Sequence, residues 1–218
     1  LECYDEALQL RDNWAQVLKQ KGILLIEEGR NNEALEILER ATDENAGLWD
    51  AWRNRGRALR RLERFEEAVD CFERAEALAP DNPVPLYAKG LCYSQLDELE
   101  NAEEVFSSLL SEGSRSHPNF PPLTELKHNY AIVLSRLERF EEALEYYNEI
   151  VEETPARHDV WYNKANCELE LGKTEAAQES LENAGIDLLE SVEDEEAVNL
   201  GIDDLIELEE SNPPSEEE

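Results

Sequence analysis

The sequence predicts an all-α protein, an α-solenoid of stacked helical hairpins, and three observations carry that reading. The octapeptide "RLERFEEA" occurs twice, at 61–68 and 136–143. The alanine that closes it recurs at Ala34, Ala68, Ala102, Ala143 and Ala177, at intervals of 34, 34, 41 and 34 residues. A small residue keeps step twelve places upstream, at Gly22, Gly56, Gly90, Ala131 and Ala165. A fixed period of this length marks units that bury their apolar faces only against a neighbouring unit.

Residues 1–14 come first, with "YDEAL" at 4–8, and read as an N-terminal capping helix or a partial repeat. Ala7 lies 27 residues before Ala34, seven short of the period. The chain begins at Leu1 rather than Met, which predicts a piece of a longer protein. Five units follow: 15–48, 49–82, 83–116, 124–157 and 158–185. In the second, Trp52, Gly56 and Leu59 mark one helix, and Ala68, Phe72 and Ala75 mark the next. Both sets have the three-to-four-residue spacing of an apolar helical face. Small residues at 56 and its equivalents predict a close helix crossing that a larger side chain would overpack. Pro80 and Pro155 stop the second helices. The extra seven residues fall in "SEGSRSHPNFPPL", 111–123, whose Ser, Gly and Pro content predicts a loop. Residues 186–210 keep helical apolar spacing at Ile202, Leu205 and Ile206, carry no base, and read as an acidic C-terminal cap. "SNPPSEEE", 211–218, reads as disordered.

These units resemble the tetratricopeptide repeat (TPR), whose 34-residue signature is W-x2-L-G-x2-Y followed by A-x3-F, A and P. The second unit matches at Trp52, Gly56, Leu59, Ala68, Phe72, Ala75 and Pro80. The third matches at Leu86, Gly90, Tyr93, Ala102 and Phe106, and the others match at their own aligned positions. The chain departs at motif position 7, where Lys21, Arg55, Lys89 and Lys164 replace leucine. Their long stems are expected to pack while the charged heads reach water. The resemblance implies a right-handed superhelix whose first helices line a concave groove, chiefly through motif positions 2, 5, 6, 9, 12 and 13.

"WRNRGRALRRLER", 52–64, holds six arginines in a chain of net charge -33. On the TPR frame Arg53, Arg57 and Arg60 take positions 5, 9 and 12, one stripe at i, i+4, i+7 on the groove face. Lys19, Tyr87, Gln95, His128, Arg136, Tyr162 and Asn166 extend that surface from neighbouring units, with Ile23, Leu91 and Ile132 between them. A basic and aromatic groove suits an extended or helical peptide with acidic groups, or a C-terminal carboxylate, because guanidinium forks grip carboxylates bidentately. The competing reading is internal pairing of the arginines with Glu63, Glu66, Glu67 and their neighbours. A known TPR subtype clamps the acidic C-termini of heat-shock chaperones. Its polar positions align here with Lys19, Ile23, Asn54, Val84 and Ala88. Only Lys19 and Asn54 match in type, so that function is not carried over.

Fifty-three acids against 20 bases argue against nucleic acid and anionic membranes as partners. The bias resembles the proteomes of salt-accumulating halophiles, where a Debye length of about 3 Å at 1 M salt screens self-repulsion. The rival reading is an ordinary acidic interaction protein. Four cysteines at 3, 71, 92 and 167 show no metal-ligand spacing, which predicts buried thiols in a reducing cytoplasm. His117, His128 and His158 stand in no nucleophile pattern, and no phosphate loop, dinucleotide fingerprint or metalloprotease motif occurs. No metal or cofactor is expected. The chain is expected to be a non-catalytic, cytoplasmic adaptor or scaffold. The alternatives are a substrate-presenting arm of a larger enzyme or assembly, and a protein that self-associates through its ends or groove.

Overall fold

The computed structural model describes residues 14–111, 117–118 and 120–186, and the structural statements below concern those residues. The expected N-terminal cap (apart from Trp14), residues 112–116 and 119 of the insertion loop, the C-terminal cap (apart from Ile186) and the tail lie outside them.

Ten helices and no strand are present among the described residues. They are α1 (Trp14–Glu27), α2 (Asn31–Glu44), α3 (Trp49–Arg61), α4 (Phe65–Leu78) and α5 (Pro83–Gln95), then α6 (Leu99–Leu110), α7 (Leu123–Arg136), α8 (Phe140–Glu153), α9 (His158–Glu170) and α10 (Thr174–Asn183). The chain divides into two compact units, Leu1–Leu123 and Thr124–Glu218. In the first, α1 packs on α2, α3 on α4 and α5 on α6, and each hairpin packs on the next. The first helices also meet one another, α1 with α3 and α3 with α5, so they form one rank. In the second unit α9 packs on both α8 and α10.

Each hairpin is closed by the same turn. Arg64 N–H donates to the Leu59 carbonyl at 3.0 Å and Glu63 N–H to Arg60 at 3.1 Å. This pair of bonds, the Schellman arrangement, caps the last carbonyls of a helix and places one residue in the left-handed region. The equivalent residues are Gly29, Glu63, Asp97, Glu138 and Gly172, with φ between 60° and 77°. Three of the five turns therefore put an acidic residue where glycine is the unstrained choice. The residue after each turn starts the next helix. At Arg30, Arg64 and Arg139 its guanidinium grips the glutamate three residues on, with bonds of 2.6–2.8 Å. The octapeptide thus spells a turn and its latch.

The small residues admit side chains rather than a second backbone. A Cβ built on Gly22 would sit 2.5 Å from Leu38 Cγ. One on Gly56 would sit 2.8 Å from Phe72 Cε1, and one on Gly90 2.7 Å from Phe106 Cε1. Leu38, Phe72 and Phe106 are fully buried and fill the space the glycines leave. The second unit uses Ala131 and Ala165 at the same register, with Tyr147 and Leu181 buried opposite.

The basic residues at motif position 7 behave differently from expectation. At Arg55, Lys89 and Lys164 the stems pack, but the heads reach acids or hydroxyls rather than open water. Arg55 donates to Glu39 at 3.1 Å and to Thr42 at 3.3 Å, and Lys89 to Glu76 at 2.7 Å. In both cases the acceptor lies on the second helix of the preceding hairpin, so the departure from leucine stitches hairpins together. Lys164 instead joins Glu168 at 2.7 Å and Ser180 at 2.9 Å, and Ser180 closes the triangle to Glu168 at 2.7 Å.

Candidate functional site

Helix α3 stands between α1 and α5 in the rank of first helices. Arg53, Arg57 and Arg60 lie along it and are half-buried. Arg53 stacks over the Trp49 ring at 5.6 Å, one helical turn earlier. Its Nη2 donates only a long bond to Asn54 at 3.5 Å, and its buried Nε has no acceptor. Burial pulls the Arg53 guanidinium below its ordinary pKa; the nearby Asp50 opposes that shift and the neighbouring Arg57 adds to it. Arg57 is shifted the same way, by burial first and then by Arg61 and Arg60, against an opposing pull from Glu27. Like charges crowd this helix.

The six arginines divide by face. Arg55 and Arg64 pair with Glu39 and Glu67. Arg61 donates to the Ile26 carbonyl at the end of α1 at 2.6 Å, a second donor on an acceptor that also takes the Gly29 N–H at 3.1 Å. Arg53, Arg57 and Arg60 form no ion pair with any described residue, and Arg57 and Arg60 make no hydrogen bond there either. Elsewhere cations readily find acids, as with Arg30 and Glu33, Lys127 and Glu149, or Arg157 and Asp159. Internal charge balance therefore explains Arg55 and Arg64 and leaves the stripe unexplained.

The cause lies 31 residues downstream. Lys19 reaches Asp50 at 2.5 Å, and His128 stands 3.9 Å from Asp159, each pair spanning 31 positions between successive first helices. The corresponding residue for Arg53 is Val84, which offers no charge.

The remaining sequence-predicted residues fall into two groups. Lys19 is only 6% exposed and is held by Asp50. His128 is 8% exposed, with Arg157 Nη2 at 3.1 Å from Nδ1 and Asn163 Nδ2 at 3.1 Å from Nε2. Burial holds its imidazole below the ordinary pKa. Both groups serve contacts between hairpins. The clamp-like Asn54 is fully buried too, donating to the Asp50 carbonyl at 2.6 Å. Tyr87 on α5 is half-buried with its ring 6.0 Å from Phe106, and Gln95 is exposed at the end of α5. These two share the first unit with the stripe. In the second unit Arg136 is exposed, and Tyr162 and Asn166 are half-buried on α9. Trp49 was missed from the sequence, although its place one turn before Arg53 was a readable signal.

The tetratricopeptide repeat sequence pattern matches residues 19–83, 85–111 and 134–190. The chain belongs to the tetratricopeptide repeat family. Among curated proteins, a TPR repeat-containing protein of Dictyostelium discoideum is 28% identical over 118 residues, covering 51% of this chain and 45% of the relative. An uncharacterised protein of Methanocaldococcus jannaschii is 39% identical over 64 residues, covering 29% of this chain and 74% of the relative. A nematode TPR-containing protein, from Caenorhabditis elegans, is matched over only 19% of its length. Among solved structures, YrrB, described as a TPR protein with an unusual peptide-binding site, superposes with a TM-score of 0.70 at 20% identity. That match covers 92% of this chain and 96% of YrrB. A MamA structure gives 0.67 at 22% identity, covering 80% and 96%. These TPR solenoids share the fold of this chain. Among the described residues no helix is long and apolar enough to cross a membrane, and no cluster of three or more metal-ligating side chains occurs.

Proposed function

We propose that this TPR protein is a non-catalytic adaptor that binds an acidic peptide segment, or a C-terminal carboxylate, along the arginine stripe of α3. The observation that carries the reading is that Arg53, Arg57 and Arg60 form no ion pair with any described residue, in a chain with 53 acids. A half-desolvated guanidinium without an anion is costly, and a bidentate carboxylate relieves that cost. The stripe lies on the rank of first helices, which in solenoids of stacked helix pairs offers the concave surface. Tyr87 on the neighbouring first helix α5 supplies apolar area with a polar tip. The YrrB description, a TPR protein with a peptide-binding site, supports the same use of the fold.

The test replaces Arg53, Arg57 and Arg60 with Ser together. The triple variant keeps its helical circular dichroism and loses capture of acidic partners in pull-downs from lysate of the source organism. Undiminished capture by a folded variant would defeat the proposal. The partial coverage of the curated relatives favours a second reading, in which the same groove presents substrates within a larger assembly. Co-purification of a catalytic activity that depends on the three arginines would distinguish it.

A further inference from the structure

We infer that the stripe selects a phosphorylated peptide segment, with one phosphate monoester bridging the guanidiniums of Arg53, Arg57 and Arg60. The inference rests on the stripe being an anion-binding surface and names the anion. Charge in the first unit is segregated by rank. The first helices α1, α3 and α5 carry eight bases and two acids, whereas the second helices α2, α4 and α6 carry two bases and thirteen acids. Neither acid of the first rank serves the stripe: Asp50 is held by Lys19, and Glu27 forms no ion pair with a described residue. Arg55 and Lys89 are paired with acids and Arg61 with a carbonyl, so the unpaired guanidiniums of this rank gather on α3 alone. They span about 10 Å of helical rise. A carboxylate brings one charge and two oxygens, and a single guanidinium fork saturates it. A phosphate monoester brings about 1.5 to 2 charges and three acceptor oxygens, so it bonds to two or three forks at once. Three like charges this close, half out of water, are offset better by one dianion than by several carboxylates that repel one another. Trp49 stacks on Arg53 and holds its fork in one plane before a ligand arrives. Ile23 on α1 and Leu91 on α5, both half-buried, offer apolar ground to the residues flanking the phosphate.

The experiment uses the full chain and three fluorescent nonapeptide pools, read by anisotropy. Each pool has randomised neutral flanks around a central phosphoserine, glutamate or serine. The phosphoserine pool binds about tenfold more tightly than the glutamate pool, or better, the gain of one further charge-assisted hydrogen bond, and the serine pool does not bind. Arg57→Gln alone weakens phosphoserine binding about tenfold. Arg53→Ser, Arg57→Ser and Arg60→Ser together abolish it while the helical circular dichroism is kept. Arg40→Ser with Arg74→Ser removes two exposed arginines from the second helices and leaves binding unchanged. Inorganic phosphate alone competes much more weakly than the phosphoserine pool. Equal affinity for the phosphoserine and glutamate pools overturns the inference, and arginine-dependent binding of both then leaves the acidic-peptide groove standing. Absence of arginine-dependent binding by either pool removes both levels. An equal loss in the Arg40 and Arg74 variant reports net charge alone and overturns the inference. So does inorganic phosphate binding as tightly as the phosphoserine pool, since the stripe then holds the anion without reading the peptide.

Discussion

Gly56→Ala tests how the hairpin carrying the stripe is held together. The added methyl would lie 2.8, 2.9 and 3.0 Å from Cε1, Cζ and Cδ1 of Phe72, where carbon atoms prefer about 3.5–4.0 Å. Phe72 is 1% exposed and has nowhere to retreat. Overpacking of this kind costs about 1–3 kcal/mol. Alanine in a helix interior returns up to about 1 kcal/mol over glycine, so the net loss is about 0–2 kcal/mol. The net figure alone decides little, and the sharper quantity is the coupling to the ring. In a Phe72→Ala background no side chain is left to clash, whereas leucine, as at Leu38 facing Gly22, would still crowd the methyl, so only the helical gain remains. Gly56→Ala then stabilises by up to about 1 kcal/mol, and the two changes couple by about 1–3 kcal/mol. Urea unfolding followed by circular dichroism, on the unaltered chain, both single variants and the double, measures all four corners. Additivity within about 0.5 kcal/mol would refute the argument that glycine is there to admit the Phe72 ring.

Three further outcomes are expected. Glu63 sits at φ 60°, so Glu63→Asn raises stability by about 0.5 kcal/mol and the β-branched Glu63→Val lowers it by about 1 kcal/mol or more, read from the same urea midpoints. His128 is held neutral by burial among Arg157, Asn163, Asp159, Glu125 and the Tyr147 ring. Its unfolded form takes up a proton near pH 6.5 and the folded form resists, so stability falls as pH drops below that value and His128→Gln flattens the slope. Asp159, held down to about 2 chiefly by Arg157, acts in a separate window: its contribution is complete above about pH 4 and is lost toward pH 2. In the last hairpin, Glu168→Ala strands the Lys164 charge and costs about 3 kcal/mol or more, whereas Lys164→Leu with Glu168→Leu and Ser180→Ala recovers most of it, as thermal melts will register.

The helical hairpins were legible because their signal is local. Ala34, Ala68 and Ala102 repeat at the period, and small residues twelve places earlier mark where a ring or a leucine enters. The turn was not legible at Glu63, Asp97 and Glu138, because the left-handed position announces itself in sequence only when it is glycine, as at Gly29 and Gly172. The position-7 cations were recognised as departures, but their partners on the preceding hairpin lie 13 or 16 residues away and follow no short-range rule. At the site, spacing alone placed Arg53, Arg57 and Arg60 on one stripe. It did not separate them from Lys19 and His128, since the distinction rests on a residue 31 positions downstream: acidic at Asp50 and Asp159, apolar at Val84. A groove alignment treats all of these as equivalent, and desolvation does not.

The five turns inside hairpins are all three residues long, 28–30, 62–64, 96–98, 137–139 and 171–173, whereas the joints between hairpins are four residues at 45–48, 79–82 and 154–157 but twelve at 111–122. Within this array length thus varies only at the seams. A loop or tag spliced between 111 and 122 falls in the one seam that is already long, while one added residue between Leu62 and Arg64 breaks the two cap bonds and the guanidinium latch together. For anyone grafting, shuffling or truncating this array, the hairpin is the indivisible coin and the seam is where it changes hands.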